Sequence, residues 1–340
     1  MNNKRKVDLV ARPNEHPFAQ YIRVIGKGKK GARSFTFEEA TEAMRMVLRG
    51  EVSDFQLGAM LALLRVNEES PDELAGFVTA ARDYINAPDD IQVDIDWSSY
   101  AGKRRQLPWY LLAALCLADN GHKIFMHGAK GHTAGRVYSE DILHHLGIVA
   151  ATTWHQVRED LNQHNFSFMA LDTLCPPLQR IIELRNEMGL RTPVHTLSRL
   201  LNPLLAPLSL QSVFHPAYAP SHQKAAQILQ QQNALVIKGE AGEFERKPDA
   251  SCSLLSVEDG ELKEQQWPRM TAHRMPKLDE LDISELTKVW RGESDNDYGH
   301  QAIIGTIALV LHQIGRSPDE DAATAMAEQY WSQRNLKRFN

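Results

Sequence analysis

The texture of the chain changes at Pro88: before it, apolar residues recur at helical spacing behind hydroxyl caps, and after it brief β-like runs alternate with helical ones. A fold that satisfies both halves is a small helical unit joined to an α/β layer. In the first half Thr36 is placed to cap a helix, with Glu39 as its capping-box partner and Ala40, Ala43, Met44, Val47 and Leu48 following at helical spacing. Ser53 is placed to cap the next run, 55–66, and Ser70-Pro71 sets proline at the first helical position before Leu74, Phe77, Val78 and Ala81. Beyond Pro88 the pattern predicts strands at 91–95, 123–126, 166–170, 234–237 and 253–257. Helices are predicted at 109–118, 140–146, 178–188, 223–231, 301–314 and 321–332. Alternation of this kind implies an α/β domain with a largely parallel sheet. The polar, proline-rich stretch 265–294 is expected to be a surface excursion.

With 340 residues, 43% of them hydrophobic, the chain is long and apolar enough for one or two ordinary cores. No window approaches the ~18 consecutive apolar residues of a spanning helix, and no apolar stretch follows the basic N-terminus to act as a secretory signal. Cys116, Cys175 and Cys252 stand far apart without a C-x-x-C pair, which disfavours a disulfide framework or a cysteine zinc site. These readings give an expectation of a cytoplasmic protein with no membrane partner. Fourteen histidines without an H-x-x-x-H pair give no reason to expect a metal site.

The net charge of -5 conceals a strong asymmetry. Residues 1–34 hold nine Lys/Arg against two acids, residues 35–96 four against fourteen, and residues 97–139 six against one. Two basic islands in an acidic chain suggest an anionic partner at a particular surface. The first island contains Lys27, Lys29, Lys30 and Arg33 among glycines, and the second contains Lys103, Arg104 and Arg105. Each has a plainer reading as a solvated turn. The second follows a predicted strand end, where open α/β sheets bind ligands, and Tyr100, Trp109 and Tyr110 flank it as candidate base-stacking residues.

Three motifs carry a family resemblance: GHKIFMHG at 121–128, LRNEMGLRT at 184–192 and LLNP at 200–203. Behind the helical opening, they resemble the anthranilate phosphoribosyltransferases over nearly the whole chain. The resemblance implies an anthranilate phosphoribosyltransferase or nucleoside phosphorylase type of fold, α/β with a separate helical domain. On it, residues 1–90 form an N-terminal extension and helical dimerisation domain, joined by helices from about 172–200, and residues 91–340 form the α/β domain.

The departures from that family concern its donor site. Its glycine-rich phosphate loop falls on residues 98–103, where only Gly102 is glycine. Its N-x-S-T falls on Pro108-Trp109-Tyr110-Leu111. Its H-G-x-x-G-L-D-E, whose adjacent acids hold magnesium, reads as residues 238–245, with Phe244 and Glu245 at the acid positions. Ala129 replaces an asparagine and Cys175 a histidine, while Arg185 keeps the acceptor-contacting position. Around these losses stand Lys103, Arg104, Arg105, Lys130, Arg136 and Arg199. The pattern resembles the divergent YbiB-type subgroup, associated with nucleic-acid binding.

The reading is therefore a homodimeric, sequence-independent nucleic-acid-binding protein, for single-stranded DNA or RNA, that needs no cofactor. Its expected contacts are Lys27, Lys29, Lys30, Arg33, Lys103, Arg104, Arg105, Lys130, Arg136 and Arg199. A residual ligand pocket is expected around Tyr100, Gly102, His127, Gly128 and Arg185. His127 is assigned a hydrogen-bonding role, because no carboxylate lies at helpful sequence spacing. The alternative is an active phosphoribosyltransferase or nucleoside phosphorylase with an altered phosphate loop, which alone would require Mg²⁺. A weaker third reading is a scaffold whose basic surface meets an acidic protein.

Overall fold

The computed structural model describes residues 9–28, 30–274 and 277–339. Helices α1 (Ala19–Ile25), α2 (Phe37–Leu48), α3 (Asp54–Asn67) and α4 (Pro71–Ile85) make up the helical part. Thr36, Ser53 and Ser70 each close a full capping box, satisfying backbone N–H groups that a helix start leaves bare.

The α/β part runs β1 (Ile95–Ser99), α5 (Trp109–Asp119), β2 (Ile124–Gly128), α6 (Ser139–His145), α7 (Trp154–His164) and β3 (Phe166–Ala170). Four short helices follow: α8 (Leu171–Leu174), α9 (Pro176–Glu183), α10 (Arg185–Met188) and α11 (Val194–Leu197). The chain closes with β4 (Leu208–Val213), α12 (Ala219–Ile228), β5 (Asn233–Lys238), β6 (Cys252–Glu258), β7 (Glu261–Trp267), α13 (Ser284–Arg291), α14 (Asp297–Gln313) and α15 (Glu320–Ser332). The seven-stranded sheet has the order β3-β2-β1-β4-β5-β6-β7. Its first five strands are parallel, and β6 and β7 add an antiparallel edge. The fold is a helical bundle with an α/β domain.

Two cores flank the sheet. Ile124 and Met126 of β2 face α5, α14 and α15, while Phe125 between them faces a core shared with α1–α4 and the α8–α11 segment. This explains one shift from the sequence reading: Ile91 and Val93 bury in the helical core, so β1 begins only at Ile95. Strand β4, which the sequence reading lacks, is buried at all six positions. The stretch 265–294 is not purely an excursion, since it carries the end of β7 and helix α13, whose Trp290 is fully buried. All three cysteines are buried free thiols, and among the described residues no helix is long and apolar enough to cross a membrane.

Strand order turns back between β1 and β4. In open α/β sheets the crevice at the carboxyl ends of such strands is where ligands bind. The loops after Ser99 and Val213 both leave the sheet there.

Candidate functional site

Beneath this crevice the loop after β1 is occupied by the chain's own carboxylates. Glu243 Oε1 accepts hydrogen bonds from the backbone N–H of Ala101 at 2.7 Å and of Gly102 at 2.6 Å. Adjacent N–H groups of this kind form an anion-binding nest, and Glu243, buried at this point, fills it. Gly102 has φ +68°, and a Cβ there would lie 3.0 Å from the Tyr138 ring, so the backbone geometry that makes the nest requires glycine. Arg136 Nη1 braces the same loop through the carbonyls of Ala101 and Gly102 at 2.8 and 3.0 Å.

The second carboxylate is equally committed. Glu245 receives Lys103 Nζ at 2.6 Å and the N–H of Tyr110, at the start of α5, at 2.9 Å. Burial pushes the Glu245 carboxyl up to about 7, against the pull of Lys103. Between the two acids Phe244 turns edge-on to Trp97, with ring centroids 5.5 Å apart. These residues do not fit a magnesium ion: one acid position is an apolar ring, and the other acid is already paired with an ammonium group.

This placement overturns part of the expected interface. Lys103 is fully buried and cannot reach a phosphate backbone, because Glu245 holds it inside. Tyr100, Trp109 and Tyr110 are buried too, which removes them as stacking residues: Tyr110 OH joins Ser99 and Ser139 in a hydroxyl network, and Trp109 packs where α14 passes at Gly299. The expected residual pocket is not open at Tyr100, Gly102, His127 or Gly128, all of them buried. Arg185 instead donates to Thr133 Oγ1 at 2.6 Å. His127 does have a carboxylate: its Nε2 lies 3.2 Å from Asp96 Oδ1, and its Nδ1 lies 2.6 Å from Tyr100 OH. All three groups are sealed from solvent, so they tie the ends of β1 and β2 together.

The other expected cations are dispersed. Arg33 is paired through both terminal nitrogens with Glu39, and Lys130 lies 2.7 Å from Asp172. Lys27 and Lys30 are exposed, and Lys29 lies outside the described residues. The segment holding them lines a separate surface cleft with Leu63 and Val66 of α3.

Two clefts open at the switch point itself. The first, about 810 Å³, is lined by Arg104, Arg105, Arg136, Lys238, Lys247 and Lys277, with Glu240 as its single acid. Arg105 has an exposed ion pair with Asp279, and Lys247 pairs with Asp249. Arg104, Lys238 and Lys277 have no carboxylate partner among the described residues. The second cleft, about 710 Å³, takes in Arg65, Arg191 and Arg199. The clefts meet at Phe214 and His215, just past β4, where Phe214 is 48% exposed and its ring lies 4.8 Å from the His215 ring. Of these residues, Lys238, Lys247, Lys277, Arg65, Arg191 and Phe214 are absent from the expected interface, because they come from separate stretches of the chain that only the fold assembles.

Comparison with known proteins agrees with this architecture. Residues 19–85 match the helical bundle domain of a glycosyl transferase family, and residues 110–328 match the a/b domain of the same family. The uncharacterized protein YbiB of Escherichia coli (strain K12) is 29% identical over 278 residues, covering 80% of this chain and 86% of YbiB. The anthranilate phosphoribosyltransferase of Xanthomonas axonopodis pv. citri (strain 306) is 31% identical over 235 residues, 68% of each chain. Among solved structures, anthranilate phosphoribosyltransferase from Thermus thermophilus superposes with a TM-score of 0.70 at 22% identity, covering 88% of this chain and 92% of that one. The Saccharomyces cerevisiae enzyme in complex with PRPP and Mg gives 0.74 at 16% identity, covering 95% and 96%. With both family domains present and the motifs of its donor site replaced, the chain belongs to this glycosyl transferase family as a divergent relative of the anthranilate phosphoribosyltransferases.

Proposed function

We propose that the protein binds single-stranded DNA or RNA without reading sequence, using the crevice at the carboxyl ends of β1 and β4. The observation that carries this reading is the 810 Å³ cleft, lined by six Lys and Arg side chains and one acid, where Arg104, Lys238 and Lys277 have no carboxylate partner among the described residues and which ends on the exposed ring of Phe214. Cations along a groove bind a phosphate backbone by releasing its counterions, and an exposed aromatic ring offers a surface on which any base can stack. The contacts of Glu243 and Glu245 speak against the transferase alternative, since the nest and the acid that a metal–pyrophosphate donor would need are both satisfied internally. We further propose a homodimer joined through the helical part, which would present two such crevices.

The deciding experiment is a binding series with single-stranded DNA, duplex DNA and RNA at several salt concentrations. The expected result is linear log K against log salt with a slope near 0.7 per contact on single strands, and the same affinity for unrelated sequences. Absence of saturable binding to all three at low salt would remove the proposal.

A further inference from the structure

The second cleft has a different character from the first. Arg65 reaches it from the last turn of α3, Arg191 from the loop after α10 and Arg199 from the turn after α11. None of the three has a carboxylate within ion-pair distance among the described residues. Among the described residues Arg65 hydrogen-bonds only to the Tyr218 hydroxyl at 3.5 Å, Arg199 only to the carbonyl of His195 in its own helical turn, and Arg191 to nothing. Burial lowers the pKa of Arg191, and repulsion from Arg185, Arg136 and Arg65 lowers it further. Burial lowers that of Arg199, attraction to Glu243 opposes this and Arg191 adds to the lowering, whereas the contact with Tyr218 raises that of Arg65. Arg191, repelled by its neighbouring arginines and without a hydrogen bond among the described residues, is the guanidinium that an anion with more than one charge and several acceptor oxygens would stabilise most, with Arg65 and Arg199 beside it in the same opening.

We infer that this cleft is a phosphate-monoester site that takes a terminal phosphate rather than an internal phosphodiester. A monoester carries about -1.5 to -2 at pH 7 and three acceptor oxygens, whereas an internal diester carries one charge. The surroundings favour an end. Glu68 and Glu69 line the cleft on the α3 side, so a polyanion running past Arg65 would meet like charge. On its other side the cleft opens at Phe214 and His215 into the basic cleft, from which a strand would enter. Thr196 and Ser221 add neutral hydroxyl donors to the wall. The assignment of an oligonucleotide end as the carrier rests on the strand-binding reading above; the phosphate chemistry stands without it.

The test uses the full chain and a short oligo-dT carrying a 5′-phosphate, a 3′-phosphate or only hydroxyl ends, with inorganic phosphate and a nucleoside 5′-monophosphate as competitors. One phosphorylated end should bind about tenfold more tightly than the hydroxyl-ended strand, equivalent to about 1.4 kcal/mol. The Arg65→Gln/Arg191→Gln double variant should lose that preference. Arg191→Lys, which keeps the charge but not the planar fork, should lose part of it. Competition by inorganic phosphate as strong as that of the phosphorylated end supports the site and identifies free phosphate as its ligand. Equal wild-type affinity for all three strands would overturn the site while leaving the strand-binding reading intact, as would a preference that survives the double variant. If hydroxyl-ended strands fail to bind but phosphate binds in an arginine-dependent way, the strand-binding reading falls and the site stands.

Discussion

Lys103 donates a hydrogen bond to Glu245 at 2.6 Å, and neither side chain has exposed surface. An ammonium group here sits on the carboxylate that, by family resemblance, would help hold magnesium. Removing one partner of such a pair leaves the other buried and uncompensated, which costs about 3–5 kcal/mol, whereas replacing both by neutral groups costs much less. Lys103→Met should therefore lose several kcal/mol in urea unfolding, and adding Glu245→Gln should return much of it. Additive losses in the double variant would show that the pair is not coupled.

Glu243 fills the nest made by Ala101 and Gly102. The wild-type chain should show no anthranilate phosphoribosyl transfer with saturating Mg²⁺ and both substrates. Glu243→Ala bares two N–H groups at a strand end, so calorimetry should find inorganic pyrophosphate binding to it at least about tenfold more tightly than to wild type. Catalytic turnover by the wild type, or unchanged pyrophosphate binding by the variant, would show that Glu243 does not stand in for the phosphate.

The legibility of this chain follows the range of each interaction. The Thr36–Glu39 capping box is written within four residues and is legible, as are the cap at Ser53, the proline start of α4 and β3, whose residues 166–170 are apolar enough to announce a buried strand. The equally local Thr153–Gln156 box is absent from the sequence reading, because the helix α7 behind it buries only Val157 and Leu161. Strand β4 is not legible, because Ser209, Gln211 and Ser212 make it look polar. Its polar atoms are satisfied inside, with Gln211 bonded to His222 and Ser212 to the Glu243 carbonyl. The same limit hid the site: Lys103 and Glu245 are 142 residues apart, and Asp96 reaches His127 only because β1 pairs with β2. A run of three basic residues gave no sign that its first member turns inward.

Helix α3 leaves Phe55 93% and Val66 80% exposed on the helical part. A covered phenylalanine contributes about 1.5–3 kcal/mol, and in a two-fold contact each copy contributes one such side chain toward the cost of association. Sedimentation should show a dimer at micromolar concentration and a shift toward monomer for Phe55→Glu. A monomeric wild type would exclude this interface.

His222 is buried, with Nδ1 3.2 Å from Gln211 Oε1, and burial pushes its pKa down to about 3 from the ordinary 6.5. The folded state therefore resists a proton that the unfolded chain accepts, so its contribution is present above about pH 6.5 and is lost as pH falls toward 3. Between pH 6 and 4 the stability advantage of wild type over His222→Gln should shrink by about 1.4 kcal/mol per pH unit. A gap independent of pH would mean that His222 titrates normally.

The last expectation separates charge from stacking within the crevice. Arg104, Lys238 and Lys277 line the basic cleft without carboxylate partners among the described residues, and all three are exposed. Each residue that touches a phosphate releases condensed counterion, so replacing the three by Ala should weaken binding to every sequence alike. It should also flatten the salt slope on single strands by up to about two units, at about 0.7 per contact. Because the positions are exposed, thermal stability should change little. Phe214 carries no charge, and Phe214→Ala should act differently: a loss of about 1–3 kcal/mol on single strands, from one lost stacking surface, with the salt slope unchanged and duplex binding little affected. The two variants thus move different observables. A slope unchanged in the triple variant would show that the cleft does not track a phosphate backbone, and an equal loss on single and double strands in Phe214→Ala would show that the ring does not stack on bases.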